Sequence, residues 1–185
     1  MINDRYSIID KIGEGRAKVF SCSDKFNSEN KFAIKILSYT ANDDELKSFD
    51  EEYELLRKFD HQNIITVFSK GSILTLEDFE KKEFHISEND KFFVMEYVDG
   101  VNIDQYSDLK LESVFLNILE QLSSVFYYIH QANYIYSDLK AENILIVDEN
   151  DKPTVKLIDF GLSSYLPNLK DDAMTNQQKP HQWNK

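Results

Sequence analysis

Over roughly the first 35 residues short apolar runs broken by polar turn residues read as strands. "YSIIDKIG" and "AKVFSCSD" flank a turn that contains glycine, and "KFAIKIL" follows the polar break "KFNSEN". From Asn42 the period changes. Leu46, Phe49, Tyr53 and Leu56 recur at steps of three and four, one face of a helix, with Asn42 or Asp43 as its cap. Strand spacing returns in "NIITVFSKG" and "KFFVMEYV". Between them "SILTLEDFEKKEFHISEND" alternates polar and apolar residues and predicts an extended hairpin or a surface insertion. "DGVNIDQYSDL" reads as a loop with a short helical turn. From Ser113 to His130, Phe115, Ile118, Leu119, Leu122, Phe126 and Ile129 line one face of a long helix. Two short apolar strands, "NILIVD" and "TVKLID", follow across the turn "ENDKP". The last stretch, "LPNLKDDAMTNQQKPHQWNK", has no periodicity. From about Leu166 it is rich in polar residues and proline, and it is expected to pack poorly. The pattern is α+β: a strand-rich first half with one helix and a helical second half with a small hairpin. It suggests two lobes, residues 1–98 and 99–185, joined near Val98 to Gly100.

Composition narrows the class. The chain has 185 residues, 42% of them hydrophobic, enough for one substantial core or two small ones. With 13 Phe and 10 Tyr but only 5 Gly and 3 Pro, it is neither fibrous nor disordered. Cys22 is the single cysteine, so no disulfide forms within one chain and a reducing compartment fits. No apolar run approaches membrane-spanning length and the N-terminus lacks the apolar core of a signal peptide, so the expectation is a cytoplasmic protein. A net charge of -12 argues against nucleic acid and acidic membranes as partners.

Some residues carry candidate chemistry. Gly13 and Gly15 stand in a turn between strands, where exposed amides can face phosphates, although such a pair is also ordinary hairpin chemistry. Lys35 lies in an apolar strand, directed either into a cleft or onto a wet face. Glu52 lies on the helix between Phe49 and Leu56. It either takes Lys35 as its cation or is solvated. Asp138, Lys140 and Asn143 fall within six residues of the loop "YIYSDLKAENILI". An Asp there can take a hydroxyl proton, a Lys can neutralise a moving phosphate, and an Asn can hold a metal. In "LIDFGLS", Asp159 ends an apolar strand, and a strand-end carboxylate suits Mg2+.

"GEG…V", "AIK", the helix Glu52, "VMEYVDG", "DLKAEN" and "DFG", in that order, resemble the signature set of the eukaryotic-type protein kinases, serine/threonine group. The likeness runs from about Tyr6 to Leu162. It implies a two-lobed kinase-like fold, an upper lobe of antiparallel sheet plus one helix, and an incomplete lower lobe. It also implies ATP and Mg2+ as cofactors, and a protein as substrate. By resemblance, Gly13 and Gly15 would cover the phosphates, and Lys35, paired with Glu52, would hold the α and β phosphates. Glu96 and Val98 would bond adenine behind a Met95 gatekeeper, and Val19, Ala33 and Leu145 would sandwich the ring. Asp138 would be the catalytic base, Lys140 the γ-phosphate partner, and Asn143 and Asp159 the Mg2+ ligands.

The departures have consequences. The loop lacks its third glycine and is one residue short near Arg16 and Ala17. Tyr136 replaces the usual His, and the resemblance makes it a packing residue with Leu56, Val67 and Phe160. Ser137 replaces the Arg that would receive an activation-loop phosphate, so control by loop phosphorylation is not expected. After "DFG" the Ala-Pro-Glu motif and the large helical sub-domain do not appear. A piece of a longer chain is expected, with a naturally minimal kinase as the alternative. A regulatory protein would then cover the lower lobe, and the long helix would leave apolar surface near Leu119, Leu122 and Phe126. Two other functions compete: a nucleotide-binding pseudokinase or scaffold that transfers nothing, and a small-molecule kinase of related fold.

Overall fold

A computed structural model describes residues 1–77, 84–149 and 152–166. The tail from residue 167 onward therefore lies outside the described residues. The chain divides into two compact units, residues 1–100 and 101–185. Among the described residues no helix is long and apolar enough to cross a membrane.

The first unit is an antiparallel sheet with a helix on one face. Strands β1 (Tyr6–Glu14), β2 (Lys18–Asp24), β3 (Asn27–Leu37), β4 (Val67–Ser72) and β5 (Lys91–Glu96) lie in the order β1-β2-β3-β5-β4. Helix α1 (Asp43–Leu56) starts at Asn42. The Asn42 side chain accepts from the Glu45 N–H at 2.9 Å, and Glu45 Oε2 accepts from the Asn42 N–H at 3.1 Å. This reciprocal cap satisfies two orphan donors, and Asp43, Asp44 and Glu45 suit the positive end of the helix dipole. The register places Val19, Lys35, Phe93 and Lys70 in one row across the sheet. Residues in such a row share a face. On that face Phe93 packs against Phe49 and Tyr53 of α1, ring centres 4.9 and 5.7 Å apart.

The opposite face of the sheet is also covered. Phe20, Cys22, Ile34, Ile36, Phe92 and Val94 are buried there with Ile2, Tyr6, Ile73, Leu76 and Ile86. Gly71 lies opposite Phe92, whose ring would touch a Cβ there at 3.3 Å, so glycine makes room for the ring. The segment after β4, expected as a hairpin or a surface insertion, is only partly described. Residues 78–83 lie outside the described residues, but Ile73, Leu76 and Ile86 on either side are core. Ile73, Leu76 and Ile86 cover a sheet that is apolar on both faces. The N-terminus helps to hold this segment, since Asn3 accepts from the Leu74 and Thr75 N–H groups at 2.7 and 3.1 Å.

The second unit holds helix α2 (Glu112–Gln131) and two small sheets. Strands β6 (Val101–Asn102), β8 (Ile144–Glu149) and β9 (Lys152–Leu157) form one, in the order β6-β8-β9. Strands β7 (Tyr134–Ile135) and β10 (Ser164–Tyr165) form the other. Ile144 and Ile146 lie opposite Leu157 and Val155, and all four are buried. Gln121 of α2 donates to the Pro153 carbonyl at 2.8 Å and accepts from the Val155 N–H at 2.9 Å. It thereby satisfies backbone groups on β9. The short strands β6, β7 and β10 carry too few residues to show a period in the sequence. The helix was placed well, but its buried stripe is Ile118, Val125 and Ile129. Phe115, Leu116 and Leu119 are exposed, while Leu122 and Phe126 are half-buried, so the helix leaves apolar surface near Leu119 as expected. Periodicity marks a wide apolar stripe, whereas burial follows only the part that neighbouring strands meet.

Candidate active site

In the first unit the candidate residues gather on the face that carries α1. Gly13 pairs with Val19, Val19 with Lys35, and Ala33 with Met95. Because strand side chains alternate, Val19, Ala33, Lys35 and Met95 all lie on one face. Lys35 Nζ donates to both oxygens of Glu52, at 2.7 and 2.8 Å. The pair expected from sequence is present, and it is well buried: the side chains are 13% and 4% exposed. An inward lysine and an inward glutamate carry opposite charges and neutralise each other, where either alone would be an uncompensated buried charge.

The turn between β1 and β2 spans Gly15 to Ala17. A Cβ on Gly15 would meet nothing within 4 Å, and no glycine among the described residues has positive φ. The fold around it therefore gives Gly15 no internal reason to be glycine. Beyond β5, Glu96 donates its backbone N–H to the Thr66 carbonyl at 2.8 Å, and its carboxylate accepts from the Thr66 N–H at 3.2 Å. That contact ties the end of β5 to the segment before β4. It was invisible in the linear sequence, where the two residues stand thirty positions apart. Val98 is half-buried just after β5.

In the second unit the loop after β7 folds on itself. Asn143 Nδ2 donates to Asp138 Oδ2 at 2.8 Å and to the Asp138 carbonyl at 2.9 Å. Lys140 Nζ stands 2.8 Å from the same Oδ2. Both partners thus hold one oxygen of the carboxylate and leave Oδ1 as its outward acceptor. The Lys140 hydrogen bond, with the Asn143 bond behind it, keeps the Asp138 carboxyl below the usual carboxylate range against a smaller opposing effect of burial. Lys140 is held above the ordinary lysine value, first by its bond to Asp138 and in part by the charge of Asp159.

Asn143 is buried and anchored from behind. Its carbonyl accepts from the Ile158 N–H at 3.2 Å, just beyond the Ile144–Leu157 rung of the hairpin. The hairpin therefore delivers Asp159 to the end of the sheet at which Asn143 sits. Asp159 Oδ1 accepts from the Gly161 N–H at 3.0 Å, which fixes its carboxylate over the following turn. Leu145, on β8, is half-buried and pairs with Asn102 and Lys156. Tyr136 is buried, its ring 5.0 Å from Phe160 and 6.0 Å from Phe126. Leu56 is buried and Val67 half-buried in the first unit, and Ser137 is exposed.

Two ligand-ready clusters on an apolar scaffold, in this order along the chain, match one known pattern. The family profile described as protein kinase domain matches residues 6–183. The chain belongs to the protein kinase domain family. Serine/threonine-protein kinase PrkC of Bacillus subtilis is 30% identical over 170 residues, which cover 89% of this chain and 24% of that protein. Probable serine/threonine-protein kinase PknB of Lactococcus lactis is 31% identical over 169 residues, covering 88% of this chain and 24% of that protein. Calcium-dependent protein kinase 4 of Plasmodium falciparum is 29% identical over 182 residues, covering 95% of this chain and 32% of that protein. The chain spans about a quarter of the length of the two bacterial relatives. These likenesses put the kinase domain in the serine/threonine group, as its "DLKAEN" string had implied.

Proposed function

We propose that this kinase domain binds ATP with Mg2+ and transfers the γ-phosphoryl group to a serine or threonine hydroxyl of a protein. One observation carries the reading: Lys140 and Asn143 both hold Oδ2 of Asp138, so a single oriented carboxylate oxygen is left to accept a proton. In the reaction the bond between the γ-phosphorus and the β–γ bridging oxygen breaks as the acceptor oxygen bonds to phosphorus. The hydroxyl proton passes to Asp138 Oδ1, and ADP leaves. Asp138 is ionised at neutral pH because its carboxyl sits below the usual range, so it stands ready as acceptor. The Lys140 ammonium, half-exposed beside it, meets the charge of the moving phosphoryl group.

The first unit would supply the nucleotide contacts. Lys35, oriented by Glu52, takes the α and β phosphates. The absence of any neighbour within 4 Å of a Gly15 Cβ leaves space for the close approach of a phosphate. Ala33 and Val19 supply apolar contact to adenine, and Met95, buried on β5, limits its depth. The Glu96 N–H is already committed to Thr66, so Glu96 offers its carbonyl, and Val98 the next backbone contact.

The residues present fit Mg2+. Asn143 has its amide nitrogen turned to Asp138, which leaves its oxygen as the metal-facing atom, and Asp159 adds a carboxylate held by Gly161. An amide oxygen and a carboxylate are hard donors of the kind Mg2+ takes alongside phosphate oxygens. When bound, the ion neutralises phosphate charge. With Ser137 exposed at the place of a phosphate-binding arginine, transfer is proposed to need no activation-loop phosphate.

The test is transfer from γ-labelled ATP to a generic basic protein. Label should appear with Mg2+, disappear with a chelator, and fall in Asp138→Asn while nucleotide binding persists. Equal labelling by wild type and Asp138→Asn would reject the reading. Nucleotide binding without any transfer would favour the scaffold alternative.

A further inference from the structure

Lys35, Phe93 and Lys70 occupy adjacent places in one row of the first sheet, and each holds a different part of α1. Lys35 binds Glu52, and Phe93 carries Phe49 and Tyr53. Lys70 Nζ lies 3.1 Å from Asp50 Oδ1, 2.8 Å from Glu54 Oε1 and 5.1 Å from the centre of the Tyr53 ring. On a helix, residues 50 and 54 share one flank, one turn apart, and residue 52 stands on the other. The two lysines therefore grip α1 on either side of Phe93. A helix fastened on both flanks cannot swing outward without parting both sets of pairs. Nor can it roll over Phe93 without driving one flank into the sheet.

We propose that Lys70 is a positioning residue that holds α1 in the orientation from which Glu52 meets Lys35. Nothing in the sequence pointed to it, because its partners Asp50 and Glu54 stand on another element. The two grips differ in kind. The Lys35 pair is buried, whereas Lys70, Asp50 and Glu54 are 37%, 66% and 47% exposed. The outer grip is thus open to screening by salt, and the inner one much less so. Arg57 also approaches Glu54, at 3.7 Å, so Glu54 is shared and Asp50 is not. The bond to Glu54 keeps Lys70 above the ordinary lysine value, and it stays charged through the neutral range. The catalytic consequence rests on the phosphotransfer reading above, but the structural consequence does not.

The experiment measures helix position directly. Spin labels go on Lys47→Cys of α1 and Glu29→Cys of β3, both exposed. Cys22 is fully buried, with its thiol pushed up to about 12 by burial, so it does not compete for label. Thermal unfolding confirms that each variant is folded. Wild type and Lys70→Arg should give one narrow distance. Lys70→Met and the pair Asp50→Asn/Glu54→Gln should give a broadened or second distance, and wild type should approach them as salt rises. In phosphate transfer, Lys70→Met should lose about fivefold in kcat/KM for ATP, the scale a small exposed charge network can shift. Lys70→Arg should restore it. A Lys70→Met distance indistinguishable from wild type at low salt overturns the proposal. If wild type transfers no phosphate, the phosphotransfer reading falls, and the label distances still decide the role of Lys70.

Discussion

The two charged clusters of this kinase domain are built in opposite ways. Lys35 and Glu52 come from different elements, lie buried, and meet only because a helix packs on a sheet through Phe49, Tyr53 and Phe93. Asp138, Lys140 and Asn143 come from six consecutive residues, and the ammonium of the cluster is half-exposed. The first pair costs desolvation and is sustained by geometry, so it reports on packing. The second is a loop closed by its own side chains, and its worth lies in which oxygen of Asp138 it leaves open. A packed pair should therefore fail by unfolding, and a loop cluster by loss of chemistry with the fold intact.

The sharpest separation comes from Asp159→Asn. Asp159 stands two residues past β9, is held by Gly161, and is assigned to the metal, so the variant should lose Mg2+-dependent turnover altogether while its unfolding midpoint barely moves. Full turnover in that variant would show that the measured activity came from a contaminant. Next is Asp138→Asn, which should lower turnover by about a hundredfold, the scale of a lost general base, and spare nucleotide binding. Titration calorimetry with an ATP analogue separates the two effects.

Lys35→Met breaks the comparison from the other side. It leaves Glu52 buried without its cation, and unfolding in urea should show a loss of about 3 kcal/mol. Lys35→Met/Glu52→Leu should regain most of that stability and none of the activity. A single variant as stable as wild type would mean that Glu52 relies on other contacts.

The smallest expected effect is Lys140→Met. The Lys140 bond is the leading cause of the low Asp138 value, so its removal should move the Asp138 carboxyl up toward the ordinary aspartate range near pH 3.9, as read by carboxyl NMR. The sign follows from linkage. A carboxyl that is lower when folded contributes stability that is present above its unfolded value and lost as pH falls through the folded value. Lys140→Met should therefore be less sensitive to acid than wild type in that window, and slightly less stable than wild type at neutral pH, where that contribution is otherwise fully present.

Much of this was legible in sequence, for identifiable reasons. The Asn42–Glu45 cap, the steps of α1, the strands on either side of the glycine turn, and the "DLKAEN" and "DFG" strings all express local rules. Asp138 and Asn143 could be named as candidates from their spacing, but their mutual hydrogen bond appears only in the folded loop. The buried face of α2 was only half legible, since Phe115 and Leu119 carry the right period and still face outward. Lys70 was not legible at all, because its partners lie on another element.

The sequence by itself determined the kinase family, the α+β element order, and which residue types carry the candidate chemistry, because motif spacing and periodicity are properties of neighbours along the chain. Only the tertiary structure decided that Ile73, Leu76 and Ile86 close the outer face of the sheet, that Thr66 holds Glu96, and that Lys35, Phe93 and Lys70 line up beneath α1. These depend on register and on which face of an element meets its neighbour. A one-residue slip in register reverses every such assignment while changing nothing in the sequence.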